Sequence, residues 1–160
     1  MILKITGGEV LIDDDLFPKI SQLAWHVMKV GYAVHTAWIR QRRQKLLMHR
    51  YIFELEGVDI PSGMQIDHHN RNRLDNRFQN LRIVTISQQR ANSSHRNKTG
   101  YNGVSYWTDG KYEYYRGAIT KDHKCYITRY VETPEEAARL RDELAKQLFG
   151  EFAIQNFPKP

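Results

Sequence analysis

The stretch Gln65-Ile66-Asp67-His68-His69, followed by Leu74-Asp75-Asn76-Arg77, Asn80-Leu81-Arg82 and Asn92, gathers an acid, imidazoles and side-chain amides, with arginines between nearly all of them. Carboxylate and amide oxygens are hard ligands suited to Mg²⁺. A neutral histidine beside them can take the proton of an attacking water. A bound cation can meanwhile stabilise charge on a phosphate and on a departing oxygen. The chemistry expected of this set is metal-assisted hydrolysis of a phosphodiester.

Charge placement agrees with that expectation. Residues 1–100 carry fifteen Lys and Arg against nine Asp and Glu, whereas residues 101–160 carry nine of each. Within 71–98 there are seven cations and a single anion, Asp75. A basic run around a ligand cluster is the footprint of a polyanion-binding surface; without the cluster it would read as a solvated face. The single cysteine, Cys125, excludes an intramolecular disulfide and a CxxC zinc site. No apolar run reaches membrane-spanning length and no signal stretch opens the chain, so a soluble, cytoplasmic protein of a reducing compartment is expected.

The elements that must position these residues fall into three sections. In the first, Ile2 to Ile12, broken at Gly7-Gly8, reads as a hairpin. Asp13-Asp14-Asp15 reads as a helix start ahead of Leu16, Phe17, Ile20 and Leu23. Tyr32 to Ile39 alternates as a strand, Arg40 to Lys45 is a basic turn, Lys45 to Met48 a returning strand, and Met48 to Leu55 a short helix. The second section, about 61–95, is strand (Met64–His68), polar loop (Asn70–Asn80), strand (Leu81–Thr85) and helix (Gln88–Ser94), with Ser87 as N-cap.

Asp67-His68, the Leu74-Asp75-Asn76-Arg77 loop, Asn80-Leu81 twelve residues beyond His68, a helix Asn, and the preceding Met48-His49-Arg50 together resemble the HNH endonucleases, in their phage and intron-encoded homing branch, over residues 48–92. The resemblance implies a ββα-metal fold in which Asp67 is a metal ligand and His68 the general base. Asn80 fixes the loop and orients His68, and a helix amide completes the ligands. The family often carries Asn nine residues after the middle Asn, where this chain has Gln89. Asn92, on the same helical face, is the preferred ligand and Gln89 the alternative. His69 is an alternative ligand by analogy with colicin-type nucleases, and His95 is read as a phosphate or solvent contact.

The third section follows a polar, basic tether, 96–100. Asp109-Gly110 between aromatic runs predicts a hairpin from Tyr101–Trp107 to Tyr112–Thr120, with Lys124–Val131 as a third strand. Thr133 caps a helix with Pro134 first, and Ala137, Ala138, Leu140, Leu144, Ala145 and Leu148 form its apolar stripe. Gly103-Val104, Arg116-Gly117-Ala118-Ile119, Glu132-Thr133-Pro134-Glu135-Glu136-Ala137-Ala138 and Phe149-Gly150-Glu151-Phe152-Ala153 with Asn156-Phe157 resemble the Apetala-type (ethylene-response-factor) DNA-binding domain. That resemblance implies a three-stranded sheet in the major groove.

The expected class is therefore α+β: a β-rich N-terminal segment leading into a ββα-metal core, then a three-stranded antiparallel sheet packed on one helix. The expected domains are 1–95, a linker at 96–100, and 101–160. Expected DNA contacts are Arg42, Arg43, Arg50, Arg71, Arg73, Arg77, Arg96 and Lys98 around the nuclease centre. On the sheet they are Asn102, Ser105, Trp107, Arg116, Lys124 and Arg129. The expected cofactor is Mg²⁺ or Mn²⁺, and the expected partner is double-stranded DNA, not a membrane, bound by a monomer or homodimer of phage or mobile-element origin. The alternative is a sequence-specific DNA-binding regulator with a degenerate nuclease module. An RNA-processing nuclease is a weaker rival.

Overall fold

A computed structural model describes residues 1–39, 42–93 and 98–158. The architecture is α+β, in two compact units, Met1–Val84 and Thr85–Pro160.

In the first unit, β1 (Ile2–Ile5) and β2 (Gly8–Leu11) form an antiparallel hairpin turned at Gly7, whose φ of +89° is the region glycine enters without strain. Helix α1 (Phe17–Ile20) follows, then β3 (Trp25–Val27), β4 (Ala33–Ile39) and β5 (Arg42–Leu47), an antiparallel sheet in that order. Helix α2 (Met48–Leu55) buries Met48, His49, Ile52 and Phe53, the i, i+4 face of its pattern. Each fully buried Met or Ile contributes ~1.5–3 kcal/mol there. Strands β6 (Gln65–His68) and β7 (Leu81–Val84) pair antiparallel. One core joins all of these, with Val10, Ile12, Ile20, Trp25, Met48, Ile52, Ile66 and Leu81 buried together.

Three local expectations are corrected. The acidic triplet does not cap α1: its N-cap is Leu16, with no side-chain cap, while Asp13 instead accepts the Phe78 N–H at 2.6 Å. The segment 42–45, expected as a turn, is strand β5; Arg40 and Gln41 lie outside the described residues. Strand β3 was not expected, because three residues with one bulky apolar side chain show no periodicity.

In the second unit, α3 (Ile86–Ala91) precedes β8 (Val104–Thr108), β9 (Glu113–Lys121) and β10 (Lys124–Ile127), an antiparallel sheet with β9 central. Helix α4 (Pro134–Phe149) starts as expected, with the Thr133 side chain accepting from the Glu136 N–H. The N-cap of α3 is Thr85 rather than Ser87: a capping box pairs Thr85 with Gln88, and Ser87 instead donates to Asp122 at 2.8 Å. Ala91 of α3 shares a core with Ile119, Ala145 and Phe149, and the Ile154 N–H donates to its carbonyl at 3.0 Å. Helix α4 lies close on the sheet because Gly117 has no side chain. A Cβ there would meet the Arg141 Cβ at 2.5 Å and the Ala137 oxygen at 3.0 Å.

Candidate active site

Antiparallel register sets Asp67 of β6 opposite Arg82 of β7, and Arg82 donates to Asp67 Oδ2 from Nε at 3.1 Å and from Nη2 at 3.0 Å. His68 ends β6 and is 3% exposed. Its ring meets the edge of His49 from α2 at 5.4 Å and the Tyr32 ring at 6.0 Å, while Tyr32 and His49 meet at 5.4 Å. Nε2 of His68 lies 3.4 Å from Asn76 Oδ1. The Asn76 Nδ2 donates to the Arg73 carbonyl at 3.3 Å, which aims the amide oxygen at the imidazole.

The loop between the strands is tied from inside. Asn80 donates to the Asp75 carbonyl at 2.7 Å and to Asn70 Oδ1 at 3.0 Å, and accepts the Asn70 N–H at 3.1 Å. The His69 N–H reaches the Asn80 carbonyl at 2.8 Å. Asp75, 1% exposed, takes the Arg77 fork at 2.8 and 2.7 Å and Asn70 Nδ2 at 2.8 Å. Asn70 and Asn72 side chains accept backbone N–H groups two residues on, so the turn organises itself.

Electrostatics follow from burial. The Arg77 hydrogen bond holds the Asp75 carboxyl below its ordinary value. Burial pushes the His68 imidazole down from its usual value, against the opposing pull of Asn76, Asp67 and Asp75. Burial first, then the neighbouring His68 and Arg50, brings His49 down to about 3.

The expected site residues thus fall out unevenly. Asp67, His68 and Asn80 lie in one tied hairpin of the first unit, whereas Gln89 lies in α3 and Asn92 is its C-cap, in the second. Asn92 is 8% exposed, and its N–H continues the helix to the Gln88 carbonyl. His69 is exposed. Among the described residues no group of three or more His, Cys, Asp and Glu converges as a metal centre. A cation here would have few protein ligands, hard oxygens among them, with solvent and phosphate completing its shell. That donor set fits Mg²⁺ or Mn²⁺ and does not fit structural zinc. The sequence alone assigned no individual role at the site to Asn76, His49 or Tyr32. The spacing of Asn76 could have signalled its role; nothing local marks Tyr32.

Of the expected DNA contacts, Arg42, Arg43, Arg50, Arg71, Arg73, Lys98, Ser105 and Trp107 are exposed, and Arg96 lies outside the described residues. Arg77 is engaged by Asp75. On the sheet, register puts Ser105 opposite Arg116 and Trp107 opposite Tyr114, on the face away from α4. Trp107 stacks on Tyr114 with centroids 5.9 Å apart, and the Arg116 guanidinium lies 5.2 Å over Tyr130. Three placements depart from expectation. Asn102 is buried, with its backbone held at both ends by Asn156. Lys124 pairs with Lys121 in register with Tyr126 and Ile119, so it projects from the helix-facing side. Arg129 pairs with Glu136 of α4 at 3.0 Å.

Comparison with known proteins places these features in company. A family model described as HNH endonuclease matches residues 46–91. An uncharacterized HNH endonuclease of Acanthamoeba polyphaga mimivirus is 33% identical over 153 residues, covering 94% of this chain and 75% of that protein. No solved structure matches.

Proposed function

Because the chain belongs to the HNH endonuclease family and is thereby a DNA nuclease, we propose that it is a homing-type enzyme that hydrolyses phosphodiesters with His68 as general base and one divalent cation. The observation that carries this reading is the setting of His68. It is buried and held below its ordinary pKa, and its Nε2 faces an amide oxygen whose direction is fixed by the bond from Asn76 Nδ2 to the Arg73 carbonyl. An acceptor at Nε2 favours the tautomer with the proton there. Nδ1 then keeps the lone pair with which to deprotonate water. Asn80 serves by pinning the loop that carries Asn76.

Family members generally use a divalent metal, and the donor chemistry fits Mg²⁺ or Mn²⁺. Asp67 would hold it, with Arg82 fixing the carboxylate. The ion would supply charge stabilisation on the phosphate and on the departing 3′ oxygen. The ends expected are 5′-phosphate and 3′-hydroxyl.

Residues 101–160 are proposed as the DNA-locating module of Apetala type, joined through 96–100 to a nuclease portion of residues 1–95. Trp107, Ser105 and Arg116 on the open sheet face support it, and a bidentate Arg–guanine contact is worth ~1–3 kcal/mol of discrimination. Mapping of cleaved ends on plasmid DNA with and without Mg²⁺ tests the proposal. Ends with 3′-phosphates, or cleavage indifferent to chelator, would contradict it. Among the described residues no helix is long and apolar enough to cross a membrane.

A further inference from the structure

Four arginines line the segment from Arg71 to Arg82, and they are not equivalent. Arg77 is spoken for by Asp75 and Arg82 by Asp67, so their charges are largely cancelled. Arg73 differs. Among the described residues no carboxylate pairs with it. It is exposed, yet held in place: Nη1 donates to the Val30 carbonyl, and the guanidinium lies 4.7 Å over the Tyr32 ring. A carbonyl and an aromatic face orient a guanidinium without neutralising it.

The support comes from the turn between β3 and β4. The Gly31 N–H bonds the Met28 carbonyl, and Met28 in turn donates to the Tyr32 carbonyl, so the turn presents Val30 and Tyr32 together. Gly31 has a φ of +86°, and a Cβ there would touch Arg73 Cδ at 3.6 Å. Two links join Arg73 to the general base. The Tyr32 ring under Arg73 is the one that borders His68, and Asn76, which faces His68, is anchored on the Arg73 carbonyl. Tyr32 and Val30 lie outside the residues matched by the family model.

We propose that Arg73, splinted by Tyr32 and the Val30 carbonyl, is a phosphate clamp of the nuclease centre, contacting a non-bridging oxygen of the phosphodiester that His68 serves. Arg73 is thereby a catalytic residue, and Tyr32 a positioning residue acting through it. The inference rests on the nuclease reading above. A developing negative charge on the phosphate meets a fork already in place, so no reorientation is needed during reaction.

The test uses the full chain in two assays: nicking of supercoiled plasmid with Mg²⁺, and binding of a duplex across a salt series. Arg73→Ala should lose ~10²-fold in nicking rate, the scale of one transition-state donor, and lower the salt slope of binding by ~0.9, one phosphate contact. Arg73→Lys should keep the slope yet recover little of the rate. Tyr32→Leu should lose as much rate as Arg73→Ala, Tyr32→Phe should restore most of it, and the double variant Tyr32→Leu/Arg73→Ala should be no slower than Arg73→Ala alone. Wild-type nicking by Arg73→Ala, or losses at the two positions that multiply, would overturn the proposal. If Tyr32→Leu does not fold, the exposed Arg73→Ala and Arg73→Lys variants decide it. If the wild type binds but never nicks, the nuclease reading fails separately; an unchanged salt slope in Arg73→Ala would then overturn the clamp, and a reduced slope would uphold the phosphate contact.

Discussion

Replacing Asn80 with alanine removes three hydrogen bonds from a side chain that is only 7% exposed. The partners left behind are unequal. The Asp75 carbonyl, within a residue 1% exposed, accepts from Asn80 at 2.7 Å and has little route to water. Asn70 is exposed, so its side-chain oxygen at 3.0 Å and its N–H at 3.1 Å can be partly rehydrated. An unsatisfied buried carbonyl costs ~1–3 kcal/mol and each of the two rehydrated bonds ~0.5–1, so Asn80→Ala should lose ~2–5 kcal/mol. Asn80→Asp sharpens the test, because it keeps shape and volume and retains the acceptor for the Asn70 N–H. It turns a carboxylate oxygen, however, toward two oxygens that now receive a donor. At neutral pH it should be at least as destabilising as alanine. Urea unfolding followed by fluorescence of Trp25, buried in the same unit, reads the loss as a fall in midpoint at constant slope. A loss below ~0.5 kcal/mol for alanine, or an Asn80→Asp variant as stable as the parent, would refute the loop account.

Three further outcomes follow from the same geometry. His49 has a folded pKa of about 3 against an unfolded value near 6.5, so the unfolded chain binds the extra proton. The stability it contributes is complete above pH ~6.5 and is lost as pH falls from there toward 3, at up to ~1.4 kcal/mol per unit. His49→Leu should flatten that part of the pH–stability curve; an unchanged curve contradicts the assignment. Gly117→Ala should destabilise the second unit by ~1–3 kcal/mol, because its methyl meets helix α4 backbone, as a thermal melt would show. Trp107→Ala, at a position 54% exposed, should weaken duplex binding with no change in that melt; unaltered affinity would remove the open sheet face from the DNA contact.

What could be read from the residues alone has a physical pattern. The β6–β7 hairpin and α2 were legible because apolar alternation and i, i+4 spacing declare themselves within a few residues. Helix α4 announced itself through Thr133, Pro134 and two acids. The cap of α3 was misplaced by two residues because Ser87 and Thr85 both cap well; the choice was made by Asp122, thirty-five residues away, which takes the Ser87 hydroxyl. Lys124 was placed on the wrong face because strand β10 has only four residues, and its register is set by pairing with β9. At the site, Asp67, His68 and Asn80 were singled out by the resemblance of their motif to the HNH endonucleases. Tyr32 was not, since its nearness to His68 arises from packing between segments thirty-six positions apart. Asn76 and Asn80 shared one residue type and one loop, and only their partners separate the side chain that faces the imidazole from the one that braces the turn.

Plasmid nicking in the presence of Mg²⁺, comparing the wild type with His68→Ala at equal duplex affinity, bears most directly on the central claim. Nicking by the wild type and its loss in His68→Ala, with binding retained, is the predicted result. Binding without nicking in both proteins, or equal nicking by both, would contradict a His68-based nuclease; the first of these is what a DNA-binding regulator with a degenerate centre would show.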